Sequence, residues 1–248
     1  ENKKILYCSK VEKKLKKKYL KSASIDPEGL TFGTVEADNP IWVYWKQGLD
    51  QAPAIIKSCI NSIKQNADTK VIVITDDNVE QYVKFPQYIM ERLTKGTMST
   101  AAFSDLLRFS LLEHYGGTWI DSTVYLTDRL PEYITKSDLF AYQDSFGLIR
   151  NPALMSVWLL HSNPHNEVIR ETRNVAFEYW KNQSYVVEYL LPYIILTMVL
   201  EQHPEAFSKI PYANSDYTHL MLEHIKEKYD ESITKHILSL SSVHKLSY

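Results

Sequence analysis

The 248 residues predict an α/β protein built on one doubly wound, mostly parallel sheet flanked by helices. Three observations carry that expectation. Two short runs, "IWVYW" (41–45) and "KVIVITDDN" (70–78), have strand character, and the second is continuously apolar up to an acidic turn, as in strands covered on both faces. Helical patterns follow each run, and strand–helix–strand spacing of this kind builds parallel sheets. Finally, 44% hydrophobic residues suffice to bury a full core in a single domain of this size.

The first 22 residues stand apart in charge. They hold nine lysines and two glutamates, whereas the remainder has 19 basic and 28 acidic residues. Within "KVEKKLKKKYLKS" (10–22), Val11, Leu15 and Tyr19 recur at i, i+4, i+8, a narrow apolar stripe on a basic amphipathic helix. This pattern reads either as a solvated helical face or as a foot on an anionic membrane surface, where each basic residue contributes about 1 kcal/mol. Nucleic acid is not an expected partner, because the acidic remainder offers no extended positive track. Residues 23–39, with Pro27, Gly29 and Gly33, read as a linker, and the catalytic domain is expected over 40–248.

From that boundary "IWVYW" is the first buried strand, followed by Gly48 in a loop and a helix from about 54 to 65. That helix has Ile55, Ile56, Cys59, Ile60 and Ile63 on its apolar side. "KVIVITDDN" is the second strand, with further helical segments near 79–94. In such sheets the ligand sits at the carboxyl ends of the strands.

The stretch "SDLLRFSLLEHYGGTWIDSTVYL" (104–126) carries the chemistry. A helix is expected from Ser99 to Tyr115, capped by Ser99 or Thr100 and stopped by Gly116–Gly117. Phe103, Leu106, Leu107, Phe109, Leu111 and Leu112 cover most of its circumference, so it is buried. Asp105 and Arg108 share one side of it, and buried charges need partners. Either the pair serves only itself, or its arginine fork and carboxylate reach phosphate oxygens and sugar hydroxyls. On the strand read from "TWIDSTVYL" (118–126), Asp121 and Thr123 point to one side with Trp119 and Tyr125. An aspartate at a strand end beside a buried Asp–Arg pair is placed to hold a divalent cation against a diphosphate.

"FSDLLRFSLLEHYGGTWID" (103–121), with "IWVYWKQG" (41–48) upstream and "SSVHKL" (241–246) downstream, resembles the DXD-type glycosyltransferases of family 32 type, in particular their capsular polysaccharide synthesis branch. The resemblance implies the GT-A fold and transfer of a sugar, with retention, from a nucleotide donor, most simply a UDP-sugar, to a hydroxyl of a saccharide acceptor. It implies that Trp45 stacks on the base, that Asp105 contacts ribose or sugar, and that Arg108 orients sugar and phosphates. Asp121 matches the first metal-binding position, and His244 and Lys245 match a segment that closes over the diphosphate. The third motif position is Thr123 rather than a second aspartate. Mn²⁺ or Mg²⁺ is expected nonetheless, held more weakly because a hydroxyl brings no charge.

In the same family the region "AYQDSFGLIRNPALMSVWLLHSNPHNEVI" (141–169), read as two strands with polar breaks, lines the sugar pocket, so Asp144 and Asn151 are candidates beside a turn role. Glu188, a lone acid in an apolar run, could face the acceptor. His161, His165 and His203 have no ligand spacing and read as loop residues. Cys8 and Cys59 match no metal or redox spacing. The longest apolar run, "YLLPYIILTMVL" (189–200), is too short to span a membrane. No leader is read, and the cytoplasm, with peripheral attachment to the inner face of the membrane, is the expected place; a capsular-type acceptor would be lipid-linked. The competing readings are a non-catalytic scaffold of the same fold docked to a membrane, and a nucleotide-sugar hydrolase or nucleotidyl transferase.

Overall fold

The computed structural model describes residues 2–144 and 150–247, which include nine strands and eleven helices. The strands are β1 (Thr31–Phe32), β2 (Ile41–Tyr44), β3 (Val71–Ile74), β4 (Val83–Lys84), β5 (Gly117–Ile120), β6 (Val124–Leu126), β7 (Leu139–Gln143), β8 (Met155–Ser162) and β9 (Val243–Lys245). The helices are α1 (Asn2–Tyr19), α2 (Ala54–Asn66), α3 (Val79–Tyr82), α4 (Gln87–Thr94), α5 (Thr100–Tyr115), α6 (Glu132–Thr135), α7 (Glu167–Asn182), α8 (Leu191–Leu200), α9 (Pro204–Lys209), α10 (Asp216–His224) and α11 (Glu231–Leu240).

Five strands form the central sheet in the order β3-β2-β5-β8-β7. β2 pairs in parallel with β3 and β5, whereas β8 pairs antiparallel with both β5 and β7. Four strands therefore run one way and β8 runs against them. Every residue of β2, β5, β7 and β8 is buried, which is why these segments are almost wholly apolar instead of alternating. Within β2 the side chains still take turns. Trp42 and Tyr44 join a layer with α5, α7 and α8, and Ile41 and Val43 join the opposite layer with α2.

The helix α5 matches its sequence expectation closely. Ser99 caps it, accepting from the Ala102 N–H at 3.1 Å, and Gly116 ends it at φ 69°. Gly117 follows at φ 94°, where a Cβ would stand 2.2 Å from the Pro40 carbonyl oxygen. Only glycine lets β5 start this close to the entry of β2.

Three expectations change. "TWIDSTVYL" is not one strand: β5 ends at Ile120, a turn closed by Val124 N–H to Asp121 C=O (3.0 Å) follows, and β6 leaves to pair with β9. The last pair of the ladder with β8 is Ile120↔Leu159, and after one further bond, Asp121 N–H to Trp158 C=O at 2.9 Å, the turn takes the chain away from β8. The apolar stripe of the basic N-terminal helix is neither solvated nor left for a membrane. Ile5, Cys8, Val11, Leu15 and Tyr19 form a full apolar stripe, and all but Ile5 join the core cluster that contains α7 and α8 residues. Glu12 is buried in the same interface, bidentate to Arg150 at 2.7 and 2.9 Å and 2.9 Å from Lys16. Lastly, 23–39 is tied down: β1 pairs with β4, and Asp26 meets Arg170 at 2.9 Å and Arg173 at 2.7 Å. Two strands appear in 141–169 as expected, and residues 145–149 of that stretch lie outside the described residues.

Candidate functional site

A cleft of about 680 Å³ opens where β2 and β5 end, at their carboxyl edge. Trp45, Lys46 and Gln47 line it from the loop after β2, and Asp121, Ser122 and Thr123 from the turn after β5. The first turns of α5 contribute Ser99 to Ala102, Ser104, Asp105 and Arg108. Trp158 of β8, Trp180 of α7, and Val186, Tyr189 and Tyr193 around the start of α8 close the remaining sides. The floor is thus charged and the walls largely aromatic.

Arg108 organises the floor. Its side chain is 5% exposed, and a buried guanidinium requires several acceptors. It donates to the Val157 carbonyl, to Ser104 C=O at 3.4 Å and to Ser104 Oγ at 3.3 Å. Its Nη2 lies 3.0 Å from Asp105 Oδ1 and 3.5 Å from Asp121 Oδ1, and the guanidinium stacks 4.9 Å from the centre of the Trp119 ring. The Asp–Arg pair therefore does not serve only itself. It is extended by a second carboxylate, and both residues face the cleft.

Asp121 is held on every side. Its Oδ1 accepts from Trp119 Nε1 at 2.9 Å, and its Oδ2 lies 3.2 Å from Lys245 Nζ. The same ammonium is 2.5 Å from Thr123 Oγ1, so Lys245 spans the two positions of the degenerate motif. Strand β9 makes this possible: Val124↔Lys245 is a pair of the β6–β9 ladder, which brings residue 245 back over the turn.

The two carboxylates are pushed in opposite directions. Burial raises Asp105 to about 7, with Arg108 opposing and the Asp121 charge adding to the rise. Burial also acts to raise Asp121, but Lys245, Arg108 and the Trp119 N–H outweigh it and hold that carboxyl below its usual value. Neighbouring acids with separated proton affinities mark a site in which one stays ionised while the other accepts a proton near neutrality.

Trp45, Asp105, Arg108, Asp121 and Thr123 thereby line one cleft, and Lys245 meets it through Asp121 and Thr123. Other candidates do not. Asp144 lies off the cleft, accepting from Ser156 Oγ at 3.0 Å and from Ser215 Oγ; burial raises its pKa and these hydroxyls oppose the rise. Asn151 braces the local turn, donating to Asp144 C=O and accepting from Ala153 N–H. Glu188 turns toward α1, 3.3 Å from Lys4 Nζ. His244 alternates away from Lys245 and is fully buried, its Nε2 3.2 Å from Thr127 Oγ1. His161 is no loop residue: it lies inside β8, buried, with Nδ1 2.8 Å from Thr118 Oγ1, and burial lowers its pKa to about 4.

Sequence reasoning missed Ser104, Trp158 and Tyr193. Ser104 was available from its i, i+4 relation to Arg108; the two aromatics come from elements whose place beside the cleft no local pattern discloses.

A divalent cation fits this arrangement poorly. The turn offers one carboxylate and one hydroxyl, both engaged by an ammonium, and among the described residues no three His, Cys, Asp or Glu side chains converge as a metal site.

Among solved structures, the PaToxG glycosyltransferase superposes with a TM-score of 0.48 at 14% identity, covering 98% of this chain and 100% of that one. No curated protein matches. The family model described as capsular polysaccharide synthesis protein matches residues 1–248, and the chain belongs to that family.

Proposed function

We propose that the chain is a glycosyltransferase that moves a sugar from a nucleotide diphosphate donor, most simply a UDP-sugar, to a hydroxyl of a saccharide acceptor. The observation that carries this reading is the set Asp105–Arg108–Asp121 on the floor of an aromatic-walled cleft at the carboxyl edge of the sheet, with Lys245 paired to Asp121. Arg108 supplies a planar fork suited to phosphate oxygens, and Lys245 a compact point charge. Trp45 offers a face for the base. Asp105 presents a carboxyl to ribose or sugar hydroxyls.

Catalysis in this reading is electrostatic. As the bond between anomeric carbon and phosphate oxygen breaks, negative charge grows on the departing diphosphate, and fixed cations already aimed there stabilise it without reorganising. Retention at the anomeric carbon follows the family resemblance and implies attack by the acceptor hydroxyl on the face the nucleotide leaves.

The acceptor side supports a lipid-linked saccharide. Eight of the nine lysines between Lys3 and Lys21 are exposed on or just after α1. The amino-terminal end of α1 also touches the loop that lines the cleft mouth, through Tyr7 Oη to Val187 C=O (2.8 Å) and Lys4 to Glu188. Beside it stand the exposed Leu6, Tyr185 and Tyr189. Basic side chains with aromatic ones suit an anionic membrane surface, although here the stripe of α1 is spent on the protein and only its opposite face is available. No helix among the described residues is long and apolar enough to cross a membrane.

The test is nucleotide release from a panel of nucleotide sugars, with and without oligosaccharide or lipid-linked acceptors. A transferase releases nucleotide quickly only with an acceptor. Release without acceptor would make it a hydrolase, and none from any donor, with binding intact, would make it a scaffold.

A further inference from the structure

We infer that the Lys245 ammonium performs, in this chain, the electrostatic work that a divalent cation would otherwise perform, so that the donor diphosphate binds without metal. The inference rests on the donor reading above. It begins with the three residues of the turn, Asp121-Ser122-Thr123, where a pair of carboxylates would be needed to draw in a doubly charged ion. Here one carboxylate is replaced by a hydroxyl, and a single positive charge has entered. The local balance is the same in the two designs: two negative charges with a dication, or one negative charge with a monocation.

Geometry supports the substitution. Lys245 Nζ lies 3.2 Å from Asp121 Oδ2 and 2.5 Å from Thr123 Oγ1, between the two oxygens that a metal would have to bridge. The other oxygen of Asp121 is already used by Trp119 Nε1 at 2.9 Å and faces Arg108 Nη2 at 3.5 Å. A hard cation demanding six or more oxygen ligands finds Asp121 competed for and Asp105 already paired with Arg108, with two permanent positive charges beside them that repel it. The ammonium is also held from both ends. β9 anchors its backbone against β6, and its side chain, 19% exposed, is tied to two residues that line the cleft, so it has little conformational freedom left to lose. Among the described residues two of its three N–H groups are engaged, and a diphosphate seated against Asp121 and Thr123 would offer an acceptor to the third.

The experiment measures UDP binding to the full chain by calorimetry, in excess EDTA and in Mn²⁺, and titrates Mn²⁺ alone into the apo protein while following its free electron-spin-resonance signal. In the wild type, UDP binds equally well in both conditions and Mn²⁺ alone remains free. Lys245→Met weakens UDP binding in EDTA by about tenfold or more, and Mn²⁺ restores part of it, because Asp121 and Thr123 are released. Thr123→Asp combined with Lys245→Met restores a two-carboxylate turn and takes up Mn²⁺ without nucleotide. Binding of UDP to the wild type that requires Mn²⁺ would overturn the inference and leave the nucleotide reading standing. Absence of binding by UDP and every other nucleoside diphosphate, in both conditions, would overturn both. The wild-type arms decide the matter even if a variant fails to fold.

Discussion

Asp105→Asn should make the protein more stable at alkaline pH while removing a residue of the cleft. Burial raises the Asp105 carboxyl from 3.8 to about 7 in the folded chain. Between those values the folded state holds a proton that the unfolded state has released, so stability falls as pH rises through this window. Integrated from about pH 5 to about pH 8, the loss is about 2.5 kcal/mol for a single group shifted this far. Asparagine has no proton to lose and escapes the penalty. Its removal leaves no orphan, since Arg108 keeps Val157 C=O, Ser104 and Asp121. At about 2–4 °C per kcal/mol for a domain of this size, the melting temperature of the variant relative to wild type should improve by about 5–10 °C between the two pH values. Paired thermal melts across that range, with nucleotide release recorded in parallel, measure it. A difference between variant and wild type that does not change with pH would mean that Asp105 is ionised throughout, and the burial argument would fail.

Trp45→Ala should weaken nucleotide binding by about 1–3 kcal/mol if a base stacks there, read as a smaller thermal shift with UDP relative to the variant's own melting temperature without it. Arg108→Lys keeps the charge but not the fork that serves Asp105, Asp121 and Val157 together, so donor turnover should fall by more than about tenfold in steady-state kinetics. Glu12→Gln leaves Arg150 and Lys16 only Glu201 as a shared carboxylate and should cost about 1.5–3 kcal/mol in urea unfolding, a loss independent of nucleotide. Gly117→Ala places a methyl 2.2 Å from Pro40 C=O at positive φ and should cost at least about 2 kcal/mol in the same assay, or prevent expression.

The legible parts were those whose signal is local. β2, β3 and α5 declare themselves because a sheet buried on both faces demands unbroken apolar runs, and an almost wholly apolar helix makes any charge on it conspicuous. Asp105 and Arg108 were found that way. The end of β5 was not, because alternation continues through Asp121 and Thr123 whether the chain stays extended or turns, as it does at Asp121–Val124. Nor was the seat of α1. A stripe on a lysine-rich helix is the same pattern for lipid and for protein, and what decides it is α7 and α8, more than 140 residues away. Glu188 looked available to the acceptor until Lys4, from the other end of the chain, claimed it. The link from Lys245 to Asp121 spans 124 positions and belongs to topology, not to pattern.

The strand that delivers Lys245 has only three residues, pairs with a strand of only three, and takes no part in the five-stranded sheet. Its other two residues, Val243 and His244, are fully buried, so side-chain burial as well as the short ladder keeps it seated. Were it to lift, the cleft would keep its walls, Arg108 and Lys46 but lose the ammonium beside Asp121, so the affinity of the site for polyanions is tied to the seating of β9. Amide exchange at Leu246, whose N–H is bonded to Thr123 C=O at 2.9 Å, would clock that traffic directly.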